Sequence, residues 1–412
     1  MSKIVSKENY SSFISNNALE WSCYLLVFGL FYSRALLSIS TVLILLSGLL
    51  SFYQKKNKEI KIGLIQYLFL AIYAAFIFSI FHTEDINEWK SIVFKVNYLI
   101  LLPFGFLLAP KLNQVKIKYL LAFFILCCFA CLTIDSIYVL LNYEHFIKQV
   151  AVSKNIVSVF GPVHTELGLL STVSFVLIIY FISIEKNKLK LLLLTSLSLV
   201  FFLELCVISF RFSLLSIFII GILYLLYQTF ILKKYIQLIY LVLVAFSAVV
   251  LIKTVPPVKA RYDNTVQDIY SIIENKNPNY QSLGQRWAAV KCTTEIIKKN
   301  AWFGVSPSDL KDDMQAQYQK DSYLLIPENR IFIHNQFLYY AASFGIPFTV
   351  VVFIVFLILI IKKTQKNYLI FWLMVPFFLH MFSDNTLERQ ISGGCILFFL
   401  LLLPNLNMKS QT

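Results

Sequence analysis

The sequence predicts an all-α, polytopic membrane protein of about twelve transmembrane helices, with one large, partly helical extracytoplasmic loop between helices 9 and 10. Composition is the first reason: of 412 residues, 58% are hydrophobic and only 14% are charged, far from the shares of a soluble domain. The second is run length, because the apolar stretches are solid and about 20 residues long, enough to cross about 30 Å of hydrocarbon as helices. A membrane β-barrel would show short alternating segments instead. The third is the distribution of lysine.

In chain order the spans fall near 18–32, 35–53, 63–82, 92–109, 119–141, 166–184, 191–209, 212–230, 235–252, 336–361, 368–383 and 391–405. Every second connection is lysine-rich: Lys55, Lys56, Lys58 and Lys61; Lys111, Lys116 and Lys118; Lys186, Lys188 and Lys190; Lys233 and Lys234; Lys362, Lys363 and Lys366. The tails, with Lys3, Lys7 and Lys409, fall on the same side. Excess lysine marks the cytoplasmic face, so both termini are expected there. The opposite face then holds Thr83 to Lys90, Asn142 to Thr165, the polar island Lys253–His334, and Asp384 to Arg389. Met1 to Asn17 is polar without a cleavable signal, so the first span is expected to be its own insertion signal.

A single integral membrane domain over 1–412 is expected, with 253–334 as a lid within it. The island's 82 residues carry eleven basic and nine acidic side chains, and they are too few for an independent core. Ser282-Leu-Gly-Gln285 fits a capping box opening a helix to about Asn300. Ser306-Pro307-Ser308-Asp309 fits a second helix start, with serine as cap and proline first.

Several function classes lose ground on these features. The net charge of +14 sits mostly in short loops, so the partner expected is membrane lipid and no nucleic acid. Six of the seven cysteines lie in apolar runs and only Cys292 in the island, with no CxxC or Cys/His pattern; no disulfide, metal or cofactor is expected. No P-loop, nucleophile motif, metal-ligand set or paired lipid-depth carboxylates are expected in the chain. A twelve-helix transporter of the major facilitator type would place its long loop between helices 6 and 7, where this chain has only Glu185 to Lys190. A lipid or polysaccharide flippase with a passive cap remains the rival from another class.

Candidate chemistry gathers on the island's face. Arg286 falls near the start of the helix opened by Ser282, where free N–H groups and a guanidinium fork could clamp a phosphate or diphosphate; the simpler alternative is a surface arginine. Arg211, in Val207-Ile-Ser-Phe-Arg211-Phe-Ser213, sits where helix 7 turns into helix 8 with apolar sequence on both sides. A cation at that depth faces a cavity or a partner unless it snorkels. Arg34, at the first outward hairpin, could join the same cavity. His334 ends the island with Arg330 and Asn335 beside it, and histidine suits proton transfer near neutral pH. His164, Asp384, Glu388 and Arg389 are further polar groups on this face.

Arg211 in its tight hairpin, Ala260-Arg261-Tyr262, Ser282-Leu-Gly-Gln-Arg286-Trp287, Trp302-Phe-Gly304, His334-Asn335 and Ala342-Ser-Phe-Gly345 together resemble the O-antigen ligase and O-antigen polymerase superfamily. The topology of the whole chain is similar; the motifs lie in about Val207–Pro347 and weakly in Asp384–Gly394. Ala260-Arg261-Tyr262 and the Ser-Leu-Gly-x-Arg run are closer to the ligase branch. Phe212 departs from the small residues common after the hairpin arginine, which bears on local packing. The resemblance implies an inverting, metal-independent glycosyltransferase of the bacterial inner membrane, with its loop periplasmic. Its donor would be a glycan on undecaprenyl diphosphate and its acceptor a sugar hydroxyl of lipid A core. Arg211 and Arg286 would hold the diphosphate and His334 would take the acceptor's proton, with Arg34, His164, Arg261, Arg330, Asn335, Asp384, Glu388 and Arg389 in support. An O-antigen polymerase, whose acceptor is another lipid-linked unit, is the alternative, and a protein-glycosylating relative is another.

Overall fold

The computed structural model describes residues 7–54, 62–151, 158–364 and 368–406, and every regular element among them is helical. The first half of the bundle runs α1 (Lys7–Tyr32), α2 (Arg34–Tyr53), α3 (Leu64–Phe78), α4 (Ile86–Lys95), α5 (Tyr98–Leu108), α6 (Gln114–Leu141), α7 (Tyr143–Ala151) and α8 (His164–Ile184). Then come α9 (Lys188–Ile208), α10 (Arg211–Leu226) and α11 (Gln237–Thr254), followed by the island helices α12 (Pro256–Ile273), α13 (Ser282–Lys299) and α14 (Leu310–Lys320). The chain closes with α15 (Gln336–Phe344), α16 (Ile346–Thr364), α17 (Tyr368–Ser383) and α18 (Gln390–Leu402). Eight helical segments are long and apolar enough to span a membrane, and α16, α17 and α18 add shorter apolar stretches. The protein is a polytopic α-helical membrane protein.

Burial sorts the helices. In α18 every residue from Ile391 to Leu402 is buried, and α8 buries most of its length, so these two form the bundle's centre. α11 has no buried residue and lies on the outside of the bundle, with Leu251 half-buried against the core. Apolar side chains of α13 and α14, among them Ala289, Cys292, Leu310 and Met314, belong to the same contiguous core as the bundle. All seven cysteines are buried and unbridged.

Two expected spans are broken. The tenth divides at Gly345 into α15 and α16, and the fourth divides at Val96–Asn97 into α4 and α5. The first break has a visible cause. Gly345 (φ +88°) and Gly304 (φ +71°) both adopt left-handed conformations that favour glycine, and each lies where a Cβ would strike the other's strand of chain. A Cβ on Gly345 would come within 2.1 Å of the Trp302 carbonyl oxygen, and one on Gly304 within 2.3 Å of the Ser343 carbonyl carbon. Backbone bonds cross the contact: Val305 N–H to Ala342 O (2.8 Å), Ser306 N–H to Ser343 O (3.1 Å) and Ile346 N–H to Ala301 O (2.8 Å). The two glycine motifs therefore form one latch that ties the island to the bundle.

The island's helix starts also differ from expectation. α13 does open at Ser282, but the capping box does not form; the Asp268 carboxylate of α12 accepts from Leu283 N–H at 2.9 Å instead. α14 starts at Leu310 rather than at Pro307, because Ser306 is left-handed (φ 76°) and its segment serves the latch. Asp309 does not cap its own helix but accepts from Thr83 Oγ1 (3.0 Å) and from the backbone N–H groups of Glu84 (3.0 Å) and Asp85 (3.2 Å). α12 was not expected as a helix, although its two leading prolines suit a first turn.

Gly345→Ala and Gly304→Ala are each expected to lower stability by about 2–3 kcal/mol or more, through backbone strain and forced separation of the latch. Gly221→Ala, with nothing within 4 Å, is the control and should be neutral or mildly stabilising. Thermal unfolding in detergent measures both, and equal midpoints for Gly345→Ala and Gly221→Ala would contradict the latch.

Candidate functional site

The start of α15 and the 384–389 connection are stitched together side by side. Asn335 caps α15, accepting from Phe337 N–H and Leu338 N–H at 3.0 Å each, while its backbone N–H donates to Asn385 Oδ1 at 3.1 Å. Asn385 Nδ2 returns a bond to Ile333 O (2.8 Å). One position on, Gln336 accepts from Leu387 N–H (2.7 Å) and donates to both Glu388 oxygens (2.9 and 3.0 Å). These bonds fix the backbone on both sides of His334, so its ring is aimed before any substrate arrives.

At the centre lies Asp384, whose side chain is wholly buried. Its Oδ1 is within 3.0 Å of His334 Nδ1 and 3.1 Å of Arg389 Nη2, and accepts from Asn385 N–H at 2.9 Å. Its Oδ2 accepts from Thr165 Oγ1 at 2.9 Å. Burial pushes this carboxyl up, but the His334 hydrogen bond and the Arg389 charge more than reverse that and hold it well below the usual carboxylate range. An ionised carboxylate only accepts, so His334 Nδ1 must donate and the neutral ring keeps its lone pair on Nε2. His334 is 28% exposed while its partner is sealed, which leaves the imidazole as the accessible member of the pair.

Beneath this pair His380 closes the floor. Its Nε2 is 3.1 Å from the Thr165 carbonyl and its Nδ1 2.7 Å from Thr386 Oγ1. Phe212 meets the His380 ring edge-on with centroids 4.9 Å apart, so the large residue after the hairpin arginine fills a specific place. α10 is pinned to α8 there by Ser213 Oγ donating to Gly168 O at 2.8 Å.

Arginines gather near Asp384. Arg211 opens α10 two residues after the left-handed Ser209 (φ 55°), and its Nη2 is buried with no hydrogen-bond partner among the described residues. Arg286 is the fifth residue of α13, just beyond the first turn, and the nearby Leu283 amide is already taken by Asp268. Burial lowers the Arg286 pKa, the Asp384 charge opposes that and Arg389 adds to it. Burial and then the charge of Arg211 push Arg261 down to about 10. Arg211, Arg261, Arg286 and Arg389 thus feel one another, and His164, at the first position of α8, lies in the field of the last three and of Asp384. Such a cluster is stabilised by an anion with several oxygens.

The remaining candidates are placed differently. Arg34, at the rim, pairs with Glu166 at 3.4 Å and is 56% exposed. Arg330 lies over the Tyr318 ring at 6.0 Å, inside the island, and makes no contact with Asp384. Glu388 is buried beneath Gln336, and burial pushes its pKa up to about 8. Thr165, Gln336, His380 and Asn385 belong to the site and were not singled out from the sequence, as Asp268 was not. His380 could have been found, because a histidine inside an apolar span is a functional flag. Buried Asp135 and Glu204, on α6 and α9, are lipid-depth carboxylates that the sequence reading passed over.

The family model described as O-antigen ligase matches residues 197–353, from α9 into α16. That segment holds Arg211, Arg261, Arg286, Arg330 and His334, whereas Asp384, Glu388 and Arg389 lie beyond it. The match supports the resemblance to the O-antigen ligase and polymerase superfamily. No curated protein matches the chain.

Two carboxylates four residues apart should respond to pH in opposite senses. Asp384 is depressed, so its stabilisation is complete above the unfolded value of about 3.9 and is lost as pH falls through the folded value. Glu388 is raised, so its stabilisation is present below about 4.3 and is lost as pH rises through about 8. Asp384→Asn should lower the melting midpoint near neutral pH, with the gap to wild type closing in acid, by an amount on the order of 3 kcal/mol where the pair is intact. Glu388→Gln should raise the midpoint by a few degrees at pH 8 and by less at pH 5. Melting curves across pH check both signs, and pH-independent gaps would contradict them.

Proposed function

We propose that this protein is an O-antigen ligase: an inverting, metal-independent glycosyltransferase that moves a glycan from undecaprenyl diphosphate to a sugar hydroxyl of lipid A core. The observation that carries the proposal is His334, held at Nδ1 by buried Asp384, with Arg286 in the field of the same carboxylate and Arg211 in that of Arg286. The family match over 197–353 and the membrane-embedded helices give the setting. The lysine alternation along the chain supports a periplasmic site in the bacterial inner membrane, with both termini cytoplasmic.

Each residue type answers one demand of the reaction. The acceptor oxygen attacks the anomeric carbon as the bond from that carbon to the diphosphate oxygen breaks, and the configuration inverts. Diphosphate leaves with the bonding electrons, and Arg211 and Arg286 stabilise the charge that develops on it. The acceptor's proton passes to His334 Nε2. Asp384 then stabilises the imidazolium, as the orienting carboxylate of a catalytic triad does. Arg389, tied to Asp384, keeps that carboxylate ionised and ready. The glycan needs no metal in this scheme, because the guanidiniums supply the positive charge.

His334→Ala is expected to insert and fold, with a lowered melting midpoint because buried Asp384 loses one donor, and to lower transfer about 100- to 10,000-fold, the usual worth of a positioned base. Arg286→Ala should impair transfer with the protein still folded. Glycan ladders on lipid A core, together with purified transfer assays, read these outcomes, and normal ladders in either variant would overturn the assignment. A deletion strain separates the branches. Loss of all attached polymer while lipid-linked chains accumulate means ligase, whereas attachment of a single unit means polymerase.

A further inference from the structure

The island carries a second concavity on another face of α13. It encloses about 650 Å³ between the line Trp287, Lys291, Thr294 and Lys298 of that helix and the end of α14 with the turn beyond it. These positions recur every three or four residues, so they form one face, and from Trp287 to Lys298 they run about 16 Å at 1.5 Å per residue. That is the length of a short oligosaccharide rather than of a single ring.

The lining has two aromatic walls and a surplus of ammonium groups. Trp287 is 46% exposed, and Lys291 Nζ lies 5.7 Å from the centre of its ring. Tyr323 is held opposite by Gln317 Nε2 donating to its hydroxyl at 3.0 Å and by edge contact with Tyr318. Tyr323 and Leu324 are both left-handed (φ 49° and 63°), a strained pair that places the ring at the cleft. Four lysines line the space against two carboxylates. Glu295 is paired with Lys298 (2.7 Å), and Asp321 accepts from Tyr323 N–H (2.9 Å). Lys291 and Lys320 have no carboxylate partner among the described residues.

We propose that this cleft binds an anionic oligosaccharide, with a sugar face on Trp287 and its phosphate or carboxylate between Lys291 and Lys320. The flat CH face of a sugar suits an indole ring, and the ammonium groups supply strong donors to charged oxygens. Trp287 directly follows Arg286, so one helix presents a guanidinium to the reaction site and its neighbouring face to the cleft. A glycan extending from the reaction centre over α13 would meet the cleft next. Two sources share this chemistry, a phosphorylated acceptor core and an acidic donor chain, and the assignment of either as substrate rests on the ligase reading.

Full-length protein in detergent is titrated by calorimetry with three soluble oligosaccharides of equal length: one phosphorylated, one bearing uronic acid and one neutral. At least one anionic probe should bind, and the neutral one more weakly. Trp287→Ala and the double variant Lys291→Glu/Lys320→Glu, all at exposed positions, should each weaken binding roughly tenfold, whereas His334→Ala should bind as wild type. In transfer assays the cleft variants should raise KM with kcat unchanged. A rise for acceptor assigns the cleft to the core, and a rise for donor assigns it to the donor chain. Equal binding of neutral and anionic probes, no binding to wild type, or unchanged affinity in both cleft variants would overturn the proposal. Binding to a protein that performs no transfer would instead keep the cleft and discard the ligase reading.

Discussion

The structure depends on keeping one carboxylate ionised where water does not reach it. Burying a bare carboxylate costs several kcal/mol even after relaxation, so a chain that does so must surround it with donors. Asp384 receives them from four separate places: His334 before α15, Thr165 in α8, Arg389 before α18, and the adjacent Asn385 amide. Satisfying that group draws the starts of α8, α15 and α18 to a single point. His380 and Phe212 then pack beneath these helix starts, which sets the Arg211 hairpin beside them. The orientation of His334 is thus a by-product of solving a solvation problem.

Above this anion the balance reverses. Arg211, Arg261, Arg286 and Arg389 share a partly desolvated space, and lost hydration first, then neighbouring guanidinium charge, lowers the pKa values of Arg261 and Arg286. Guanidiniums do not lose their protons under such stress; they seek an anion with several oxygens. Diphosphate meets that description, and it is the leaving group the proposed reaction must stabilise. The island supplies two of these arginines, so the glycine latch that fixes it to α15 and α16 also fixes the geometry of charge over the base.

How much of this was legible follows from the range of each signal. The spans could be read because solid apolar runs are a local property, and the twelve expected correspond to helices that exist. The breaks at Gly345 and at Val96–Asn97 stayed hidden because the sequence is apolar on both sides of each. The capping box at Ser282 fitted a local pattern, but the acceptor came from Asp268, fifteen residues upstream on another helix. Arg211, Arg286 and His334 were singled out by motif and position; His334 and Arg286 both lie near Asp384, and Arg211 lies near Arg286. Asp384 looked like one acid among several in a short loop, since two of its partners, His334 and Thr165, lie fifty and more residues away in sequence. Arg330 looked like a neighbour of His334, yet its guanidinium lies over Tyr318 in the island.

The central claim is that His334 and Asp384 act as one unit, and a double-mutant cycle on the transfer rate tests it most directly. Purified His334→Ala, Asp384→Ala and the double variant are compared with wild type at saturating donor and acceptor, with folding of each checked by melting. If Asp384 serves the reaction only through His334, removing it from the His334→Ala background costs little further activity, and the coupling is of the order of the single-variant loss. Full additivity of the two losses would mean that the residues act independently, and would contradict the account.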